Sequence, residues 1–282
     1  MDYVGPNELM NETLAAAKRK AGLGVSDLLL RGVLAGVFLN FATSMVFMVQ
    51  TQGVPPVVGA VLFPVGFVTL VLLGLELATG NFAILPPAVA AGEISVAAML
   101  RNWACVYLGN LAGSVAYAVL FYLAMTNCGT NTGGPVAELL KAAAIKKTIA
   151  YQSVGGAGWA TAVVKAILCN WMVTVGALAA MVSRSTVGKV VAMWLPIFTF
   201  FAQGYEHSIV NMFVIPSGML FHAPISAGQW WLWNQIPVTI GNIVSGSLFT
   251  GLALYSTFRA KPAPVPVSAP AEDAELAGAV AR

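Results

Sequence analysis

Two side chains of this chain could handle a proton or a small anion from within apolar surroundings. His207 is one of two histidines and lies in a long hydrophobic run. Thr79 offers a hydroxyl from a second such run. An ionisable group at membrane depth reads as functional by default. The alternative is a neutral imidazole packed as a hydrogen-bond donor, and for Thr79 a hydroxyl bonded to its own helix. Both residues belong to copies of one pattern, Gly74-x-Glu76-x4-Asn81-x4-Pro86 and Gly204-x-Glu206-x4-Asn211-x4-Pro216. Glu76 is the only formal charge between Arg31 and Glu93, and Glu206 the only one between Lys189 and Arg259. The centres differ, with Leu77-Ala78-Thr79-Gly80 in one copy and His207-Ser208-Ile209-Val210 in the other. No metal-ligand spacing and no nucleophile with its base accompanies them. The chemistry on offer is therefore hydrogen bonding or proton transfer to a small ligand.

Such groups need elements to hold them. In each copy Gly, polar residues and then Pro interrupt an apolar stretch. Free backbone N–H and C=O groups are tolerated at membrane depth only where protein or a wet cavity satisfies them. Glu76 and Glu206 are expected to accept hydrogen bonds from the N–H groups that open the next half-helix, with Asn81 and Asn211 doing so from the far side. Both carboxylates read first as supports and second as substrate contacts, because a bare carboxylate in a pore repels anions. Each following half-helix of about ten residues spans about 15 Å, half the bilayer core. Two such helices starting near the midplane aim their positive dipole ends at one region, which favours a small anion. Paired interrupted segments at matching places in two halves point to a transporter binding site.

The halves match beyond the breaks. Arg31-Gly-Val-Leu-Ala recurs as Lys165-Ala-Ile-Leu-Cys at an offset of 134 residues, and Asn102-x6-Gly109-Asn110 as Asn234-x6-Gly241-Asn242 at 132. The offset between Glu76 and Glu206 is 130. With 58% hydrophobic and 9% charged residues, against about 25% charged in soluble domains, the chain reads as an all-α integral membrane protein. Spans are predicted at 30–50, 57–91, 103–126, 159–183, 187–220 and 232–258. The second and fifth are too long for one straight helix and carry the breaks. Three spans per half make the repeats, about 26–130 and 155–258, inverted relative to each other. Ten of the fourteen Lys and Arg residues fall on one side if the N-terminus is inside, which predicts both termini in the cytoplasm. Lys141, Lys146 and Lys147 then lie outside. Lys165 either snorkels to that interface or draws anions to the entrance. Residues 1–25 read as a cytoplasmic N-terminal segment, with 7–20 as either an interfacial or a solvated helix. Residues 259–282, rich in Pro and Ala, read as a disordered cytoplasmic tail. No cleavable signal peptide precedes the first span. Three scattered cysteines make no disulfide framework.

Gly204-Tyr-Glu-His-Ser-Ile-Val-Asn-Met-Phe213, Lys165-Ala-Ile-Leu-Cys-Asn170-Trp, Glu76-Leu-Ala-Thr-Gly-Asn81 and Pro237-Val-Thr-Ile-Gly-Asn242 carry a family resemblance. Over nearly all of residues 25–258 the chain resembles the formate–nitrite transporter family. That resemblance implies six spans in an aquaporin-like 3+3 inverted repeat with helices two and five broken, and a homopentamer with one pore per protomer in the cell (inner) membrane. It matches His207 to the family's central histidine and Thr79 to its pore threonine, the two approaching each other across the pore. It matches Phe67, Leu77 and Phe200 to constriction residues, and Asn170 and Asn242 to asparagines near the pore. Ala78 departs, because an aromatic residue usually stands there in the family. The departure is expected to widen the constriction or shift its work to Phe63, Phe67 or Leu77. Phe63, Phe67, Phe200 and Phe201 precede the breaks and either pack or form an apolar gate.

The expected function is passage of formate or nitrite, passive or proton-coupled, with hydrosulfide, acetate or lactate as alternatives within the family. The partners expected are that anion, protons and lipid, with no cofactor, no metal and no nucleic acid. An aquaporin-type neutral-solute channel would carry Asn-Pro-Ala at the half-helix starts, which this chain lacks. A membrane enzyme using His207, Glu206 and Cys169 is the reading from another class.

Overall fold

Proline and glycine set the limits of several helices. Pro6, Pro56 and Pro64 each stand in a first helical turn. There the missing N–H would be unpaired in any case, and the fixed φ suits the helix. The computed structural model describes residues 2–259, so the expectation of a tail over 259–282 lies outside the described residues except at Arg259. The helices are α1 (Pro6–Gly22), α2 (Val25–Gln50), α3 (Pro56–Leu62), α4 (Pro64–Leu72), α5 (Ala78–Ala90), α6 (Val96–Met125), α7 (Gly134–Lys147), α8 (Ile149–Ser153), α9 (Gly156–Ala179), α10 (Thr186–Ala202), α11 (Ser208–Leu220) and α12 (Ala227–Phe258). Two π-helical stretches, Trp231–Gln235 and Ser245–Leu252, lie within α12.

Helices α2, α6, α9 and α12 are long and apolar enough to cross a membrane. Each turns part of its surface outward, and Leu30, Phe41, Leu120, Val164 and Leu248 are exposed there. Apolar surface on that scale needs hydrocarbon or another apolar protein face to cover it. The chain is thus an all-α, multi-pass membrane protein. The long apolar stretches divide as their Gly and Pro residues suggest. Residues 57–91 fall into α3, α4 and α5, and residues 187–220 into α10 and α11.

Both divisions use the same stop. Two residues past the ends of α4 and α10 stand Gly74 and Gly204, each with φ +66°, a left-handed value that side chains resist. The Gly74 N–H donates to the Val71 carbonyl and the Leu75 N–H to that of Leu70. The Gly204 and Tyr205 N–H groups repeat the pair on the Phe201 and Phe200 carbonyls. These are Schellman caps, which satisfy the last carbonyls of a helix. Residues 75–77 and 205–207 then run without helix to the starts of α5 and α11. Helices α2 and α6 pack closely because Gly32 meets Gly109, while Gly36 lies against the backbone of Asn110 and Gly113 against that of Val33. A Cβ at Gly32 would stand 2.9 Å from the Val106 carbonyl oxygen. Small residues four apart permit such contact between membrane helices.

The stretch between the third and fourth predicted spans is not a plain loop. It folds as α7 and α8, because Val136, Ala137, Leu140 and Ala144 make an apolar stripe and are all buried. The N-terminal helix α1 lies against the body, burying Ala16, Ala17 and Ala21 with Ile84, Leu85, Ala88 and Leu178. A strap precedes it. The Asp2 carboxylate accepts from the N–H groups of Arg184 and Ser185 and from the Ser183 hydroxyl. The Ser183 bond is the chief cause that holds this carboxyl below its usual range. The Arg184 guanidinium reaches back to Glu8 and Glu12 on α1.

Candidate functional site

The two breaks carry the same hydrogen-bonded knot. In the first, Glu76 accepts from Lys20 Nζ (2.8 Å) and from Asn81 Nδ2 (2.7 Å). Asn81 Nδ2 also donates to Asn102 Oδ1 (2.9 Å), and Asn102 Nδ2 to the Lys20 carbonyl (3.0 Å). In the second, Glu206 accepts from Lys147 Nζ (2.8 Å) and Asn211 Nδ2 (2.7 Å). Asn211 donates to Asn234 Oδ1 (2.9 Å), and Asn234 to the Lys147 carbonyl (2.9 Å). Glu206 alone gains a further donor, the Tyr151 hydroxyl at 2.9 Å. Both carboxylates are only 3% exposed, so each charge needs the ammonium and amides around it.

The backbone N–H groups at the two starts find different partners from those expected. Asparagines take them, not the carboxylates. The Ala78 N–H donates to Asn110 Oδ1 (3.0 Å) and the Ser208 N–H to Asn242 Oδ1 (2.9 Å). Asn110 Nδ2 donates to the Gly32 and Glu76 carbonyls, and Asn242 Nδ2 to those of Ala166 and Glu206. A carboxylate can only accept, whereas an amide donates and accepts. One Asn therefore serves both an N–H and a carbonyl of each break, and ties the break to a carbonyl inside α2 or α9. Glu76 and Glu206 instead hold Asn81 and Asn211, which stand in the first turns of α5 and α11.

Leu77 and His207 occupy equivalent positions, just before α5 and α11, with φ/ψ of −114°/120° and −112°/119°. Leu77 has no capping group, while His207 Nδ1 accepts from the Val210 N–H at 3.2 Å. Because Nδ1 accepts, the proton of the neutral ring sits on Nε2. His207 Nε2 lies 3.2 Å from Thr79 Oγ1, so the imidazole donates to the hydroxyl. A hydroxyl that accepts one hydrogen bond keeps its own proton to donate. The Thr79 carbonyl is held by Asn170 Nδ2 (3.2 Å), which also donates to the Asn242 carbonyl (2.7 Å). Residues placed far apart in the sequence, Thr79, Asn170, His207 and Asn242, thus form one buried cluster.

Two cavities flank the cluster. The first, about 790 Å³, is lined by Phe67, Glu76, Leu77 and Gly80 among others. The second, about 590 Å³, is lined by Phe200, Phe201, Glu206, His207 and Lys165 among others. Leu77 and Gly80, on either side of Thr79, face the first cavity and His207 faces the second. Thr79 itself is fully buried and lines neither cavity; its hydrogen bond ties His207 to the first turn of α5, whose Gly80 and Asn81 line the first. The Phe200 ring stacks on the imidazole at 5.8 Å between centroids. Phe63 lines neither cavity. It is fully buried, stacked on Phe201 at 3.8 Å and edge-on to Phe200 at 5.8 Å. Ala78 also lines neither and is fully buried. Lys165 stands over the Tyr151 ring, 5.8 Å from its centroid.

Sequence reasoning missed Lys20, Lys147, Tyr151 and Asn110 as parts of the site. Asn110 had a signal, since it recurs with Asn242 at constant offset. Among the described residues no group of three or more His, Cys, Asp or Glu could hold a metal ion.

A family model described as Formate/nitrite transporter matches residues 7–256. A probable formate transporter of Methanothermobacter thermautotrophicus is 33% identical over 260 residues, covering 87% of this chain and 93% of that protein. A solved structure described as an FNT family ion channel superposes with TM-score 0.76 at 26% identity, covering 90% of this chain and 99% of that one. Another, described as a pentameric formate channel with formate bound, gives TM-score 0.68 at 25% identity, covering 83% and 97%. The match runs from α1 to α12 and takes in both knots and the buried Thr79–His207 cluster between them, and this chain belongs to the formate/nitrite transporter family.

Proposed function

We propose that the chain passes small monovalent anions, formate first and nitrite second, between its two cavities by way of the Thr79–His207 pair. The observation that carries this reading is the buried 3.2 Å Thr79–His207 hydrogen bond, which links the wall of the second cavity to the helical turn that lines the first. A related structure with formate bound supports formate as the anion and a homopentamer as the assembly. The family description supports nitrite as the second anion.

Phe67 and Leu77 on one side and Phe200 on the other form apolar constrictions that disfavour a bare charge. Lys165 draws the anion into the second cavity. Within the constriction the Thr79 hydroxyl donates to the anion while His207 Nε2–H stands behind it. Taking a second proton at Nδ1 would cost His207 its bond from the Val210 N–H, so the imidazole acts chiefly as a donor at Nε2. Proton coupling then begins with a solvent proton taken transiently at Nδ1 as the Val210 bond opens; the imidazolium passes its Nε2 proton through Thr79 to the anion, which leaves as the neutral acid, and the ring returns to its neutral state. Asn170 and Asn242 position the pair. Glu76, Glu206, Asn81 and Asn211 hold the breaks.

The paired knots support a 3+3 inverted repeat, with α2, α6, α9 and α12 as full spans and α3–α5 and α10–α11 as the two broken ones. Lys20 of α1 and Lys147 of α7 are equivalents in that repeat, which brings α1 and α7 into it. The excess of Lys and Arg on one side supports cytoplasmic termini in the cell membrane. Formate flux into liposomes, with nitrite, hydrosulfide, acetate and chloride in parallel, tests the reading. Equal flux with and without protein would end it.

A further inference from the structure

The first cavity is ringed by more positive charge than a monovalent anion needs. Lys18, Arg19 and Lys20 reach it from α1, Arg31 from α2 and Lys189 from α10. Glu76 neutralises Lys20 at 2.8 Å, and Glu93 neutralises Lys18 at 3.0 Å. Arg19, Arg31 and Lys189 have no carboxylate within 4.0 Å among the described residues. Arg31 and Lys189 are half-buried as well. Three uncompensated cations gathered on one partly enclosed cavity repel one another, and the repulsion strengthens as the local dielectric falls. The second cavity differs in kind. It has lysines but no arginine, and one of them, Lys147, is paired with Glu206.

We infer that Arg19, Arg31 and Lys189 form a binding site for a multivalent phosphate-type oxyanion at the mouth of the first cavity. Two guanidiniums suit this chemistry, because their planar donors bind phosphate oxygens in pairs. An ammonium adds a point charge from a third segment. The volume, about 790 Å³, holds a ligand far larger than formate. The floor is apolar, with Phe67 and Leu77 almost wholly buried, so a multiply charged ion that enters is held rather than passed. Such a ligand bridges α1, α2 and α10 and covers the approach to Leu77. The phosphate is either free in solution or part of a lipid headgroup, since both offer the same oxygens. Binding at this site does not depend on transport.

The test is calorimetric titration of inorganic pyrophosphate into the purified full-length protein in neutral detergent. The wild type binds, and the double variant Arg31→Gln with Lys189→Gln binds about tenfold more weakly or not at all, since charge-assisted bonds are lost. Lys146→Gln, which alters the second cavity, leaves binding unchanged. No binding by the wild type, equal binding by the double variant, or loss of binding with Lys146→Gln would each overturn the site. Repeating the titration in nanodiscs of neutral and of anionic phospholipid separates the sources. Both outcomes keep the site: competition by anionic lipid identifies a headgroup, and unchanged binding identifies a soluble phosphate. Formate flux of the same preparations is read separately, so a failure of the transport reading is distinct from a failure here.

Discussion

His207 makes two hydrogen bonds with different purposes. Nδ1 accepts from the Val210 N–H and caps α11, while Nε2 reaches Thr79. The two can be separated by substitution. Asparagine is a good N-cap, so His207→Asn keeps the cap and loses the reach to Thr79. The expected result is a folded protein with a melting temperature near wild type and no proton-coupled uptake. His207→Ala loses the cap too, at about 0.5–2 kcal/mol, and should melt earlier. If both variants melt alike, Nδ1 is no cap. At Glu206, glutamine retains an acceptor for Tyr151 and Asn211, whereas alanine leaves the Tyr151 hydroxyl without one and Asn211 with only Asn234 Oδ1. Glu206→Gln should therefore melt above Glu206→Ala, the difference being about 1–3 kcal/mol for buried groups left unpaired. Equal melting in detergent would remove the support role. Ala78 is fully buried and faces neither cavity. A phenylalanine there overpacks the start of α5, at about 1–3 kcal/mol.

The breaks between α4 and α5, and between α10 and α11, are built alike. Gly74 and Gly204 have the same φ, and a Cβ on either would meet nothing within 4 Å. The cost of Gly74→Ala and Gly204→Ala is then purely that of a left-handed backbone, about 1–2 kcal/mol, and the same at both sites. Unequal shifts in melting temperature would show that the two turns differ in ways their geometry hides. Asn242→Ala strands the Ser208 N–H and the Glu206 carbonyl together and cuts the tie to the Ala166 carbonyl of α9, so it should destabilise more than either glycine change. These breaks were legible in the sequence, because Gly, Glu, Asn and Pro recur at fixed spacing in otherwise apolar runs. The role of the carboxylates was less so. Spacing placed Glu76 near exposed N–H groups, but only the fold brings Asn110 and Asn242 closer. Lys20 and Lys147 were not legible as partners. They come from α1 and α7, short helices outside the repeated apolar segments, and their pairing depends on how those helices pack against the body.

At the scale of the whole molecule, the membrane class followed from 58% hydrophobic and 9% charged residues. The long apolar helices agree with it. The segment between Thr126 and Gly156 lies outside the predicted spans, and its helices α7 and α8 are short and amphipathic rather than long and apolar. The paired knots put one polar cluster between two cavities. The central claim is that this cluster passes formate through Thr79 and His207. The most direct measurement is formate uptake into proteoliposomes across a series of pH values, comparing wild type with His207→Asn. The account predicts wild-type uptake that rises as external pH falls, and no such pH-driven uptake by the variant, even where its melting temperature matches wild type. Uptake by His207→Asn with the rate and pH profile of the wild type would contradict it.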